Sequence, residues 1–400
     1  MTIATTTSRF DQRYFVVLGA CLTQFTVIGI LFAYGLFFKV LETEFGWSRT
    51  LLSSCTSAAF LAMGLFAIFG GRLADRYGPS RVLAVTGALY GLGYVLLSQL
   101  TEPWQLLVLY GVFVGIGLST HDVVTLSTIA RWFEKRRGMM TGVVKVGTAI
   151  GQVVVPPLAA FLILSFGWRT ALVVLGVSAA IILVAAASLV KRPVLTETQK
   201  AQAASDGVSF ADARRTRPFW TLCAIQFLFF PSLVTIPLHI VVHGMDLGMA
   251  ATRAALLLST MGACSVAGRL FVGSCVDWIG GRRAFIVCLV PLTASLVGFL
   301  QIETQSALFA AVALYGFAHG GLFTVVAPTI AEYFGTRAHG SLFGIVVFFG
   351  TIGGAVGPIV AGWIFDMTGS YAIAFGTLAT LAGLGLLLVL SLPSPKKVPI

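Results

Sequence analysis

Arg269 is the residue of this sequence whose type and position point most directly to chemistry. It lies in the apolar stretch of residues 263–273, eight positions before Asp277, which corresponds to about 12 Å along a helix. A guanidinium group inside a lipid bilayer costs between about 2.5 and 17 kcal/mol, so it is expected to face a wet cavity that an anion visits. Its paired N–H donors match the two oxygens of a carboxylate. We therefore predict that Arg269 binds a carboxylate; the alternative is a structural ion pair with a neighbouring helix.

Asp122 and Lys145 are the other two charged residues that lie deep in apolar stretches. Asp122 precedes Arg131 by nine positions and Lys145 follows Gly138 by seven, which places them at similar depth on consecutive antiparallel helices. Mutual pairing is the least costly arrangement for both charges, and it leaves Arg269 free to bind an anion. The alternative is that Asp122 carries a coupled proton and that Lys145 tunes it.

The composition indicates the class of protein that contains these charges. The chain has 400 residues, of which 57% are hydrophobic and 10% are charged, against about 25% charged residues in soluble domains. Because a bilayer requires every backbone polar group to be satisfied internally, we expect an all-α membrane protein with many spans. The net charge of +11 does not indicate a nucleic-acid partner, since the basic residues fall in short clusters between apolar spans.

The remaining composition argues against enzymatic chemistry. The six cysteines lie in apolar spans or at their ends, so they predict neither a disulfide framework nor a metal site. The sequence contains no ATP-binding motif and no nucleophile with a base at readable spacing. We expect neither an enzyme nor a bound cofactor, and ion gradients or exchange would have to supply the energy for any transport.

Twelve apolar spans can be counted along the chain. A polar connection over residues 191–217 separates the first six spans from the last six. We therefore predict two six-helix domains, residues 1–190 and 218–400, joined by a cytoplasmic linker of residues 191–217. The spans are residues 14–38, 50–70, 80–100, 104–130, 138–164, 169–190, 219–242, 252–275, 283–302, 306–332, 339–364 and 371–393.

The basic residues predict how the chain is oriented. Of the 26 Lys and Arg residues, 20 fall on the side of the two termini and the central linker, 4 fall on the opposite side, and 2 lie within spans. Because positively charged loops stay in the cytoplasm, both termini are expected to be cytoplasmic. The short loops favour a bacterial source, so we expect a multi-pass protein of the cell inner membrane.

The two halves of the chain resemble each other. Asp75 closes the second span and Asp277 closes the eighth, 202 positions later. A duplicated six-helix unit with a binding site between its halves is the architecture expected of an alternating-access carrier. The same offset of 202 positions relates Gly138 to Gly340, Gly142 to Gly344, Gly151 to Gly353 and Pro156 to Pro358.

The segment that contains Asp75 carries a family resemblance. Its sequence, Gly71-Arg-Leu-Ala-Asp75-Arg76-Tyr-Gly, resembles the loop signature of the major facilitator superfamily, and a weaker copy surrounds Asp277. This resemblance covers essentially the whole chain. It implies that Gly71, Asp75, Arg76 and Asp277 form a gate that locks the inner ends of the helices together. A solvated tight turn would explain the charges but not the repeated aspartate.

Within that superfamily the chain resembles the bacterial branch of the monocarboxylate transporters. The resemblance rests on Phe32-Ala-Tyr-Gly35 with Glu44-Phe-Gly-Trp-Ser-Arg49, on Ala130-Arg-Trp-Phe-Glu-Lys-Arg-Arg-Gly138, and on Gly268-Arg269. It implies transport of lactate, pyruvate and similar acids with a proton, and it implies that Arg269 is the carboxylate ligand. The chain departs from the animal members by having no lysine near Phe38 and by having Ser265, not a carboxylate, one turn before Arg269.

The resemblance also suggests which other residues line the cavity. His239 occupies a position similar to one that lines the family's cavity, and His121 neighbours Asp122 on a helix that lines it. We expect His243 and His319 to be surface or packing residues. The further predicted substrate contacts are Lys145, Tyr34, Phe323, Phe348 and Thr351. An apolar wall around one arginine favours a short-chain or aromatic monocarboxylate, because a second carboxylate requires a second cation.

The sequence therefore predicts a secondary transporter, most simply a proton-coupled symporter of a small monocarboxylate such as lactate or pyruvate. The expected partners are a small organic anion, protons and the lipid bilayer, and the expected state is a monomer. Three alternatives stay open at this point: an importer or exporter of a larger organic solute such as an aromatic acid, a vitamin or a drug; an organic anion exchanger; and a receptor that binds without transport.

Overall fold

The computed structural model describes residues 9–193, 207–302 and 304–393. Within these ranges the chain is almost entirely helical, and eleven continuous helices are long and apolar enough to cross a membrane. One of these, Arg137–Leu189, has 53 residues and is broken at Gly167. The described residues thus contain twelve membrane-spanning segments, which confirms the predicted all-α membrane architecture.

The helices are numbered here in chain order. The first half contains α1 (Arg9–Phe45), α2 (Arg49–Tyr77), α3 (Pro79–Leu97), α4 (Pro103–Trp132), α5 (137–166) and α6 (168–189). The second half contains α7 (Arg217–Asp246), α8 (Ala251–Ile279), α9 (Gly281–Gly298), α10 (Gln305–Phe334), α11 (His339–Thr368) and α12 (Ala372–Ser391). Part of the predicted linker, residues 194–206, lies outside the described residues.

Gly167 alone connects α5 to α6. Its φ angle of 79° lies in a region that glycine adopts at no steric cost and that other residues rarely adopt. An unbroken helix of this length would measure about 80 Å, far more than the roughly 30 Å of hydrocarbon in a bilayer, so the chain reverses here. After the reversal both segments lie against α1, because Gly147 packs on Cys21 and Gly19 packs on Ala186.

Two close contacts join the halves at one end of the bundle, and the offset of 202 positions relates them. A Cβ atom added to Gly71 of α2 would lie 2.2 Å from the carbonyl oxygen of Gly340 in α11. A Cβ atom added to Gly138 of α5 would lie 2.2 Å from the carbonyl oxygen of Gly273 in α8. The repeat in the sequence is therefore a spatial pseudo-symmetry. Arg131 also lies at this end, which we call the basic end.

The same pseudo-symmetry continues towards the centre of the bundle. A Cβ atom on Gly142 would lie 2.4 Å from the carbonyl oxygen of Arg269, and one on Gly344 would lie 2.6 Å from that of Ala67. Ala67 and Arg269 are thus equivalent positions in the two halves. Small residues at such crossings let helix backbones approach closely in a membrane. The second half places a guanidinium group where the first half has a methyl group.

We expect Gly151→Ala to destabilise the first half of the protein. A Cβ atom there would lie 2.3 Å from the carbonyl oxygen of Phe25 in α1, and overpacking of this kind costs about 1–3 kcal/mol. The measurement is the melting temperature of the detergent-solubilised protein, followed by fluorescence-detected size exclusion. Gly383→Ala is the control, because its nearest neighbour would be Thr293 Cγ2 at 3.9 Å. Equal melting temperatures for the two variants would contradict the packing argument.

Candidate functional site

The two charges predicted at matching depth form an ion pair. The Lys145 ammonium group on α5 donates to the carboxylate of Asp122 on α4. His121 lies beside the same carboxylate, with its Nε2 atom 3.8 Å from Asp122 Oδ2. Pairing lowers the cost of holding either charge away from water, so each residue makes the other tolerable inside the bundle.

Gln24 on α1 completes the surroundings of Asp122, and the sequence analysis did not identify it. Its side chain is fully buried. The amide nitrogen donates to Asp122 Oδ1 at 2.7 Å and to the carbonyl oxygen of His121 at 3.1 Å. The amide oxygen accepts a hydrogen bond from Thr148 Oγ1 at 3.1 Å. The signal that could have found this residue is an amide side chain within a long apolar span.

Arg269 is buried, and no residue in the described part of the chain forms an ion pair with it. Its side chain is 1% exposed, and its Nε and Nη1 atoms have no hydrogen-bond partner among the described residues. The guanidinium carbon lies 6.0 Å from the centre of the Phe323 ring, and Lys145 Nζ lies 5.3 Å from the same centre. Cation–π attraction of this kind offsets only about 0.5–2 kcal/mol, which is less than the cost of an unpaired buried cation.

A cavity of about 40 Å³ lies beside these groups, which is room for a few water molecules. Asp122, His121, Phe323 and Gln226 line it together with apolar side chains from α2, α7, α10 and α11. Within the described part of the chain, the lining includes neither Lys145 nor Arg269. The aromatic ring of Phe323 therefore belongs both to the cavity wall and to the surroundings of the two cations.

The other predicted substrate contacts lie elsewhere. The Tyr34 hydroxyl donates to the carbonyl oxygen of Leu52, and its ring stacks on that of Tyr110 at 4.1 Å. The Nδ1 atom of His239 lies 3.1 Å from the hydroxyl oxygen of Tyr371. These two residues are thus packed among other side chains in this conformation.

Phe348 and Thr351 sit one turn apart on α11, outside the cavity lining. The Thr351 hydroxyl donates to the carbonyl oxygen of Phe348 at 2.8 Å, and a Cβ atom on Gly64 of α2 would overlap that hydroxyl. These contacts place Thr351 in the crossing between α2 and α11. A substrate contact for either residue stays a prediction.

The predicted gate residues meet at the basic end. Asp75 accepts a hydrogen bond from Arg131 Nη2 at 2.5 Å within the first half and one from Ser341 Oγ at 3.0 Å across the two halves. Asp277 accepts from the backbone N–H groups of Gly138 at 2.7 Å and Met139 at 2.9 Å. Each carboxylate therefore lies at the N-terminal end of a helix from the opposite half, where the helix dipole favours negative charge.

One predicted gate residue takes no part in these bonds. Arg76 is exposed, and its guanidinium carbon lies 5.2 Å from the centre of the adjacent Tyr77 ring. Arg131, at the end of α4, supplies the cation that pairs with Asp75. The sequence motif located the carboxylate but could not show which of the nearby arginines would reach it.

Comparisons with known proteins identify the family and the fold of the chain. The family model for the Major Facilitator Superfamily matches residues 20–305 and 244–400. Monocarboxylate transporter 13 of Bos taurus is 28% identical over 381 residues, which cover 94% of this chain and 89% of that protein. The fucose:proton symporter of Escherichia coli has a TM-score of 0.74 at 15% identity, covering 94% of this chain and 98% of its own. The human organic anion transporter MFSD10 has a TM-score of 0.73 at 16% identity, and the match covers 96% of this chain and 100% of that protein.

We expect Asp75→Asn to loosen the basic end. The change removes a charge-assisted hydrogen bond to Arg131 and weakens those from Ser341, and bonds to charged groups are worth about 1.5–3 kcal/mol. Hydrogen exchange followed by mass spectrometry should show about tenfold faster exchange or more for residues 339–343. Asp212→Asn is the control, because its carboxylate bonds to Ser209 within a short surface helix. Unchanged exchange in the Asp75 variant would show that the carboxylate does not hold the halves together.

Proposed function

The chain belongs to the major facilitator superfamily, and we propose that it is a secondary carrier that moves a small organic monocarboxylate together with a proton. The observation that carries this proposal is the unpaired guanidinium group of Arg269, buried next to a cavity. The name of the bovine relative, a monocarboxylate transporter, supports the same substrate class.

An anion at Arg269 resolves the largest electrostatic cost in the site. The group is 1% exposed and lacks a carboxylate partner among the described residues, and an uncompensated buried charge costs about 3–5 kcal/mol. A substrate carboxylate supplies two acceptor oxygens in the geometry of the guanidinium fork. Because Phe323 lines the cavity and its ring also lies beside Arg269, we propose that this ring rotates aside when a carboxylate reaches the guanidinium group.

The ion pair beside Arg269 supports a substrate with one carboxylate. Asp122 neutralises Lys145, so the site offers one uncompensated cation. While Asp122 is ionised, a monocarboxylate brings the charge of these three residues to zero, whereas a dicarboxylate would leave a negative charge in a region of low dielectric constant. The walls of the cavity are otherwise mainly apolar, which suits a small organic acid.

Asp122 is the group that we propose takes up the coupled proton. It is the carboxylate in the cavity lining, and it lies close to Lys145. When Asp122 is protonated, Lys145 loses its counter-ion, and the local charge becomes more positive by one unit. A substrate anion then binds more tightly, so that proton and anion favour each other's binding, as symport requires.

The contacts at the basic end support a transport scheme of alternating access. We propose that the glycine crossings and the two aspartates hold this end closed, so that the cavity exchanges with the opposite side in this conformation. We propose that the basic end faces the cytoplasm of a bacterial cell, as the distribution of arginine and lysine predicts. Residues 1–190 and 218–400 would then rock against each other around the site, joined by residues 191–217.

We expect Arg269→Leu to abolish transport while the protein remains folded. Removing one partner of a buried charge pair costs about 2–5 kcal/mol, so uptake of labelled lactate into proteoliposomes should fall at least about 30-fold under an inward proton gradient. The melting temperature should not fall, since no described residue pairs with the guanidinium group. Arg253→Leu, an exposed position on the same helix, is the matched control. Full uptake by the Arg269 variant would exclude this residue as the carboxylate ligand.

We expect Asp122→Asn to separate anion movement from the proton gradient, because an amide cannot take up the proton. In proteoliposomes the variant should exchange internal for external lactate but gain nothing from an inward proton gradient, which should stimulate the wild type. Asp246→Asn, at an exposed position at the end of α7, is the control. The same stimulation in the Asp122 variant and the wild type would rule out Asp122 as the proton carrier.

A further inference from the structure

Gln226 is a buried polar residue that the transport scheme above does not use. It lies on α7, is 5% exposed, and lines the cavity. Its Oε1 atom is buried and has no hydrogen-bond partner among the described residues. An unpaired buried acceptor is unfavourable, and a native structure rarely retains one without a reason.

The internal repeat explains why this amide oxygen lacks a partner among the described residues. Gln226 stands 202 positions after Gln24, so the two residues are equivalent in the two halves. Gln24 bonds to Asp122 and Thr148 through its amide group. The same amide in the second half has to find other partners.

The second half has no equivalent of Asp122 or Thr148 at the corresponding positions. Thr324 occupies the position of Asp122, and its hydroxyl donates to the carbonyl oxygen of Gly320. Gly350 occupies the position of Thr148 and has no side chain to offer. The first half thus uses its glutamine to stabilise the ion pair, and the second half leaves its glutamine open to the cavity.

We infer that Gln226 accepts a hydrogen bond from a hydroxyl group of the substrate, so that the carrier selects hydroxy monocarboxylates over monocarboxylates without a donor. This inference rests on the proposed function, because Arg269 must bind the carboxylate of the same molecule. Phe230 and Phe323 also line the cavity. Their rings pack edge to face with centres 5.9 Å apart, and they supply an apolar surface for the carbon chain of the substrate.

A keto acid has no hydroxyl group to donate to the amide oxygen of Gln226. The carbonyl oxygen of pyruvate only accepts hydrogen bonds, so it leaves the amide oxygen of Gln226 unpaired. A site built around a hydrogen bond rejects analogues that lack the matching group, because its own polar atom is then left buried without a partner. Lactate is therefore expected to bind more tightly than either pyruvate or propionate.

The test compares acids that differ by one hydroxyl group. Half-saturation concentrations are measured in proteoliposomes for lactate against propionate, and for 3-hydroxybutyrate against butyrate, because the hydroxyl position is not fixed by the argument. In at least one pair the wild type should favour the hydroxy acid by about tenfold. Gln226→Met should reduce that ratio to about one, because the hydroxy acid loses its hydrogen bond. Gln99→Met, at an exposed site, should keep the wild-type ratio.

The outcomes separate this inference from the proposed function. Absence of uptake of all four acids by folded wild-type protein would overturn the proposed function and the inference with it. Uptake with ratios near one in both pairs would overturn the inference alone, and it would do so even where the Gln226 variant failed to fold. A ratio that persists in Gln226→Met would also overturn it.

Discussion

A charge inside the hydrocarbon layer must be neutralised, and this constraint organises the centre of the molecule. Lys145 is tolerated because Asp122 faces it, and Asp122 is in turn bonded by the Gln24 amide. This arrangement ties α1, α4 and α5 together through polar contacts. Among the described residues, Arg269 is the deep charge without an ion-pair partner. The electrostatic cost of the empty site and the anion affinity that we propose for it therefore have the same origin.

The two halves share the same helical framework, and the candidate site arises from the positions at which they differ. The gate retains the symmetry closely, since Asp75 and Asp277 each accept hydrogen bonds from the start of a helix in the opposite half. The centre does not retain it. Ala67 and Arg269 are equivalent positions, as are Lys145 and Val347. One half thus carries the internal ion pair and the other carries the free cation, so the cavity between them is polarised although the scaffold is nearly symmetric.

Features that depend on length and depth were predictable from the sequence, and features that depend on helix rotation were not. Apolar length predicted twelve spans, and distance from the helix ends predicted that Asp122 and Lys145 would meet. The sequence analysis missed Gln24 and placed Tyr34 in the cavity, whereas the structure packs Tyr34 on Tyr110. In a soluble protein a polar stripe shows which face of a helix is buried. In this chain the lipid-facing and protein-facing sides are both apolar, so the sequence does not show which way a side chain points.

The single-residue connection at Gly167 has a mechanical consequence. α5 contacts α8 of the other half through Gly138 and Gly142, while α6 packs on α3, where Gly176 meets Gly91. Because no flexible loop separates α5 from α6, a displacement of α5 against the second half passes directly through α6 to α3. The first six helices are therefore expected to rotate as one body, so that a movement started by the proposed anion binding at the centre would reach both ends of the bundle.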